Sequence, residues 1–149
     1  MFIETIVGNL DDKRRWWRYR ARVKALPASH RATVLALERY LTHFGMMTRG
    51  EVTLGTQMTM LNDLTAAFEK AAAKRRKVSA VTGGDPVTFA EAFFRHYATS
   101  RWFTDAWKHS LNYFEREFAR EIERGINKER RRLVRTVARA ESKRGAARK

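Results

Sequence analysis

Cysteine is absent from this chain of 149 residues. Disulfides and thiolate chemistry are excluded with it, and a cytoplasmic setting is the expectation. There are two prolines and eight glycines, so little interrupts helix over long stretches. No apolar run approaches the ~20 residues needed to cross a bilayer. The opening MFIETIVGNLDD has no basic n-region, and Glu4 breaks its short apolar stretch. It does not read as a signal peptide. Alternating strand patterns and internal repeats are missing. So are a nucleophile elbow, a dinucleotide fingerprint and paired carboxylates in an apolar setting. These absences argue against an enzyme. The histidines, His30, His43, His96 and His109, form no i, i+4 pair, and with no cysteine present neither a metal site nor a cofactor is expected.

What the chain has in excess is positive charge. Lys and Arg number 31 against 16 Asp and Glu, for a formal net charge of +15. From Ile126 to Lys149 ten Lys/Arg face two acids, Glu129 and Glu141, which places +8 in that segment alone. A second basic block runs from Lys13 to Lys24. Charge this concentrated points to a polyanionic partner, nucleic acid and DNA in the first place.

The hydrophobic content of 44% is enough for one domain with a true core. Apolar residues recur at helical spacing almost throughout. Ile3, Ile6, Val7 and Leu10 make a short stripe. Trp16, Tyr19, Val23 and Leu26 make the next, stopped by Pro27. Ser29 is a candidate cap for a helix carrying Val34, Leu37, Leu41 and Phe44, with Gly45 at its C-terminal end. Leu54, Met58, Leu61, Leu64, Phe68 and Ala72 follow, ending in the run Lys74 to Lys77. Val78 to Pro86 reads as the one clear non-helical segment, a turn leading into a helix rather than a phosphate loop, since no Gly-Lys-Ser/Thr ending is present. Asp85 followed by Pro86 predicts a helix start, and Phe89, Phe93 and Tyr97 then share a face. Thr99 or Ser100 is a candidate cap for a helix with Phe103, Trp107, Leu111, Phe114, Phe118 and Ile122. Gly125 either ends that helix or lets it continue along Leu133, Val137 and Ala140. The prediction is an all-α bundle of about six helices, with residues 1–125 as its core and residues 126–149 as a basic extension, helical or disordered.

Three stretches resemble a known family. Ala25-Leu26-Pro27 with Arg39-Tyr40-Leu41, the helix Leu61 to Ala72 (LNDLTAAFEKAA), and Lys77-Val78 through Val81-Thr82-Gly83 to Val87-Thr88-Phe89 are similar to the bacterial helical family called domain of unknown function 1048. The resemblance spans roughly residues 2–120. It implies a compact helical fold, no assigned catalytic residues and the neighbourhood of transcription regulators. Gly84 and Pro86 depart from the family's pattern, and the basic tail stands outside it.

The candidate phosphate contacts are Arg14, Arg18 and Arg22, which form one ridge at i, i+4 and i+8, together with Lys128, Arg130, Arg131, Arg132, Arg135 and Arg139 in the tail. Trp17 is read first as a partly buried packing residue. A cation–π partner or a stacking surface for an exposed base is its alternative. Arg116, Arg120 and Arg124 interleave with glutamates and read as a salt-bridged surface. The aromatic cluster Phe93, Phe94, Tyr97, Trp102, Phe103 and Trp107 reads as core before it reads as a pocket. Two other partners fit the same residues: a transcription regulator or other acidic protein steered by the basic surface, and a second copy of the chain packing on Leu133 and Val137. An anionic membrane surface ranks below both, because the apolar face of the Arg/Trp helix has a core to fill.

Overall fold

The periodicity materialises as helix, and the computed structural model describes residues 10–47, 54–97 and 113–148. These form α1 (Leu10–Lys24), α2 (Ala28–Met47), α3 (Leu54–Ala73), α4 (Ser79–Thr82), α5 (Pro86–Arg95) and α6 (Tyr113–Arg148). No strand occurs among the described residues. The Ile3–Val7 stripe and the first part of the helix proposed from Thr99 or Ser100 to Ile122, with Phe103, Trp107 and Leu111, lie outside them, as does Trp102 of the aromatic cluster.

α2 is the centre of the bundle. It packs against α1, α3, α5 and α6, and its contact with α6 is the most extensive in the fold. Val34, Leu37, Leu41 and Phe44 are fully buried on it, as the stripe predicts. Tyr19, Val23 and Leu26 close over one side, and Met58, Leu61, Leu64 and Phe68 over another. The Phe94 ring meets Phe44 edge-on at 5.3 Å between centroids, a favoured aromatic geometry. On α5 the deeply buried positions are Pro86, Ala90 and Phe94. Phe89, Phe93 and Tyr97 form a second, partly buried ladder beside them.

Local chemistry sets the ends of the elements. Arg31 N–H donates to the Pro27 carbonyl at 2.8 Å. The capping position of α2 is thus Pro27 rather than Ser29, which lies inside the first turn. Gly45 does not end α2 either, because the helix runs on to Met47. The glycine is there for space: a Cβ would lie 3.3 Å from Cε2 of Phe94. α3 stops where Arg75 turns left-handed with φ 57°. There Arg76 N–H bonds Ala71 O and Arg75 N–H bonds Ala72 O, the pairing of a Schellman motif. The segment 78–86, read as non-helical, contains the single turn α4, pinned by buried Val78 and by Thr82 N–H donating to Val78 O at 3.1 Å. Asp85 caps α5 as its sequence predicts. Its Oδ1 accepts from Val87 N at 3.0 Å and Thr88 N at 3.2 Å, and its Oδ2 accepts from the Thr88 hydroxyl at 2.6 Å.

α6 is 36 residues long, about 54 Å at 1.5 Å per residue. It passes through Gly125 without a break. Beyond that glycine, Ile126, Leu133, Val137 and Ala140 are all buried. The division at Gly125 is therefore one of charge, not of packing.

Two predictions follow from this burial and this cap. Leu133→Ala should cost about 2–5 kcal/mol in urea unfolding, whereas Val134→Ala, one position along and exposed, should stay within about 0.5 kcal/mol. The hydrogen bonds from Thr88 and from the amides of Thr88 and Val87 hold the Asp85 carboxyl below its ordinary pKa. A depressed folded-state pKa gives stability that is present above the unfolded value near 4 and is lost as pH falls through the folded value. Asp85→Ala should accordingly cost about 1 kcal/mol at pH 7, and the gap from the parent protein should close below about pH 4.

Candidate nucleic-acid interface

The nine candidate cations divide into two groups by what surrounds them. On α1, Arg14 and Arg18 are exposed. Arg22, one ridge step further on, instead reaches α3. Its Nη2 lies 2.6 Å from Glu69 Oε1, its Nε donates to Glu69 Oε2 at 3.3 Å, and its Nη1 donates to Asn62 Oδ1 at 2.8 Å. The bond to Glu69 raises the guanidinium pKa. Arg22 is a clamp between α1 and α3, and its fork is already filled. Sequence spacing alone grouped it with Arg14 and Arg18, because the acid that claims it is 47 residues away.

α6 repeats the division. Arg130 donates to both Glu91 oxygens, from Nη2 at 2.6 Å and from Nε at 3.3 Å, and from Nη1 to Asn127 at 3.1 Å. This ties α6 to α5. The neighbouring Tyr40 hydroxyl is buried, and burial first and the Glu91 charge second raise its pKa. The segment's two acids are also engaged with neighbouring helices. Glu129 pairs with Arg39 of α2 at 3.4 Å, and Glu141 accepts from the Ser79 amide at the start of α4 at 3.1 Å. What remains on the outside is cationic. Lys128, Arg131, Arg132, Arg135 and Arg139 are all exposed, and none has an ion-pair partner among the described residues. Their spacing of three and four keeps them along one side of the helix.

The structure keeps α1 and α6 apart on the two flanks of α2, without an extensive contact between them. Leu35 of α2 borders both the α1–α2 concavity and the α2–α6 groove. Arg31, Leu35 and Arg39, at i, i+4 and i+8, thus form the strip between the two basic helices. Sequence reasoning missed Arg31 and Leu35, although their spacing was readable. It was masked by the stronger Val34–Leu37–Leu41 stripe. Trp17, read first as a packing residue, is 62% exposed. Trp16, Tyr19 and Val23 fill the inner face of α1, and Trp17 falls about 100° from Trp16 around the helix.

Other sequence readings resolve simply. Arg120 pairs with Glu117 and Arg124 with Glu121, each at i, i+3. His30 is a core residue: it bonds the Arg76 carbonyl through Nε2 at 3.0 Å and Ser29 Oγ through Nδ1 at 3.2 Å. Among the described residues no cluster of three or more His, Asp or Glu could hold a metal. No helix among them is long and apolar enough to cross a membrane.

The division predicts a crossover between stability and binding. Arg22→Ala and Arg130→Ala should each cost about 1–2 kcal/mol of folding stability and leave affinity for a DNA duplex within about twofold, since neither guanidinium is free for phosphate. Arg131→Ala and Arg135→Ala should do the reverse. Urea unfolding and fluorescence anisotropy on the same four variants check it.

A family model described as "Protein of unknown function (DUF1048)" matches residues 7–114. No curated protein and no solved structure matches the chain. The match takes in Arg14, Arg18 and Arg22 and stops as α6 begins, so the exposed cations of α6 lie beyond it.

Proposed function

We propose that this chain, which belongs to the DUF1048 family, is a non-enzymatic cytoplasmic protein that binds the phosphate backbone of nucleic acid, with DNA as the first candidate. Its role on this reading is regulatory or architectural. The observation that carries the proposal is the sorting of charge on α6. Both acids of the segment are engaged by neighbouring helices, as is Arg130. Five cations on the outer side are left exposed. A continuous cationic face on a rigid helix meets phosphates at a low entropy cost and releases condensed counterions when it does. Arg14 and Arg18 on α1 add a second, smaller contact. Contacts of this kind fix position without reading bases, so sequence preference is expected to be weak.

The test is a salt series of duplex binding by fluorescence anisotropy. Five to seven phosphate contacts imply a slope of log K against log salt of about −5 to −6. Replacing Arg131, Arg132, Arg135 and Arg139 together by Gln should flatten the slope by about 3–4 without altering the fold, since all four are exposed. An unchanged slope would remove α6 from the interface. No binding of the parent protein at low salt would favour the other reading, docking to a transcription regulator or other acidic protein. A pull-down that retains such a partner in high salt would then identify it.

A further inference from the structure

A concavity of about 440 Å³ opens between α1 and α2, and no acid among the described residues lines it. Trp17, 62% exposed, and Leu35, 40% exposed, border it, with Tyr19 and Val23 buried at its base. Arg20, Lys24 and Arg31 complete the lining. Two of these cations are held in place. Arg31 Nη1 donates to the Lys24 carbonyl at 3.1 Å, and the Arg20 guanidinium lies 5.8 Å from the Trp16 ring centroid. None of the three has an ion-pair partner among the described residues.

An exposed indole, an apolar base and three unneutralised cations suit a planar ring carrying an anion. The volume falls in the range of small-ligand sites, about 300–1,000 Å³. A docked protein helix would ask for an apolar furrow several turns long. Here the large exposed hydrophobic residues are two, and they flank one short opening. We propose that this concavity is a subsite for an unpaired nucleotide of a single strand, with the base stacked on Trp17 and the adjoining phosphates met by Arg20, Lys24 and Arg31. Every base has a face to stack, so the site accepts strands without selecting sequence. A base inside a duplex is unavailable to it, because both its faces are already stacked. The inference rests on the phosphate-binding reading and adds to it a preference for unpaired strands.

The test compares a single-stranded 20-mer of thymidine, a 20-bp random duplex and free thymidine monophosphate as probes of the full chain. The proteins are the parent, Trp17→Ala and Trp17→Phe. Trp17 is mostly exposed, so both variants should fold, which thermal unfolding verifies. The expected result is a loss of about tenfold or more for the single strand in Trp17→Ala, with the duplex changed by less than about twofold and Trp17→Phe regaining part of the loss. Free nucleotide should bind weakly and with the same dependence on Trp17, since it lacks the neighbouring phosphates. An equal loss for strand and duplex, or no loss for either, overturns the subsite while leaving the phosphate reading standing. Failure of the parent protein to bind either polymer overturns both. Self-association that disappears in Trp17→Ala while strand binding is unchanged also overturns it, and assigns this face to a second copy of the chain.

Discussion

Burial of one face of α6 against α2 is the constraint on which the rest of the structure depends. Ile126, Leu133, Val137 and Ala140 are all buried, and burying an Ile, Leu or Val side chain contributes about 1.5–3 kcal/mol. That is a large share of the total for a domain whose net stability is expected to be about 5–15 kcal/mol. The most basic part of the sequence is for this reason also part of the core. Once the stripe is docked, the other residues of α6 have no choice of side. The residues flanking the stripe meet α2, α4 and α5, and those opposite it face water.

Docking also sorts the charges. Arg39 takes Glu129 and Glu91 takes Arg130, while Glu141 accepts the first amide of α4. These contacts straddle the margin of the buried stripe, where partial desolvation makes a charge-assisted bond worth more than it is at full exposure. Among the described residues from Ile126 on, the outer side carries no acid to oppose Lys128, Arg131, Arg135 and Arg139. A net charge spread evenly would give only diffuse attraction. Here cations stand three and four residues apart on a stiff rod, so electrostatics acquires direction. The clamp between Arg22 and Glu69 does the corresponding sorting on α1, leaving Arg14 and Arg18 outside.

Much of the fold was legible in the sequence, because it rests on period. The stripes Tyr19–Val23–Leu26, Val34–Leu37–Leu41–Phe44 and Met58–Leu61–Leu64–Phe68 turn inward as their spacing requires, and Asp85–Pro86 begins a helix because both residues suit its first turn. The departures have common causes. Gly45 was read as a helix end, yet it is small so that Phe94 can approach, and that neighbour lies 49 residues away. Ser29 lost the capping position to Pro27, one of several boundaries that local propensity places only to within a residue or two. In the candidate interface, sequence spacing found the exposed cations Lys128, Arg131, Arg132, Arg135 and Arg139 of α6. It could not separate Arg22 and Arg130 from them, because Glu69 and Glu91 are partners only after folding. It also read Trp17 first as packing, because large aromatics usually serve the core, although the stripe Trp16–Tyr19–Val23–Leu26 already set Trp16 inward.

Hydrogen exchange along α6 in the free protein tests the central claim most directly, that one helix is both core and basic face. Amides from Ile126 to Ala140 should be protected to the same degree as those of Val34 to Phe44, opening only with global unfolding. Exchange of those amides at the rate of an unfolded chain, with α2 still protected, would contradict the claim and leave the basic segment as an undocked tail.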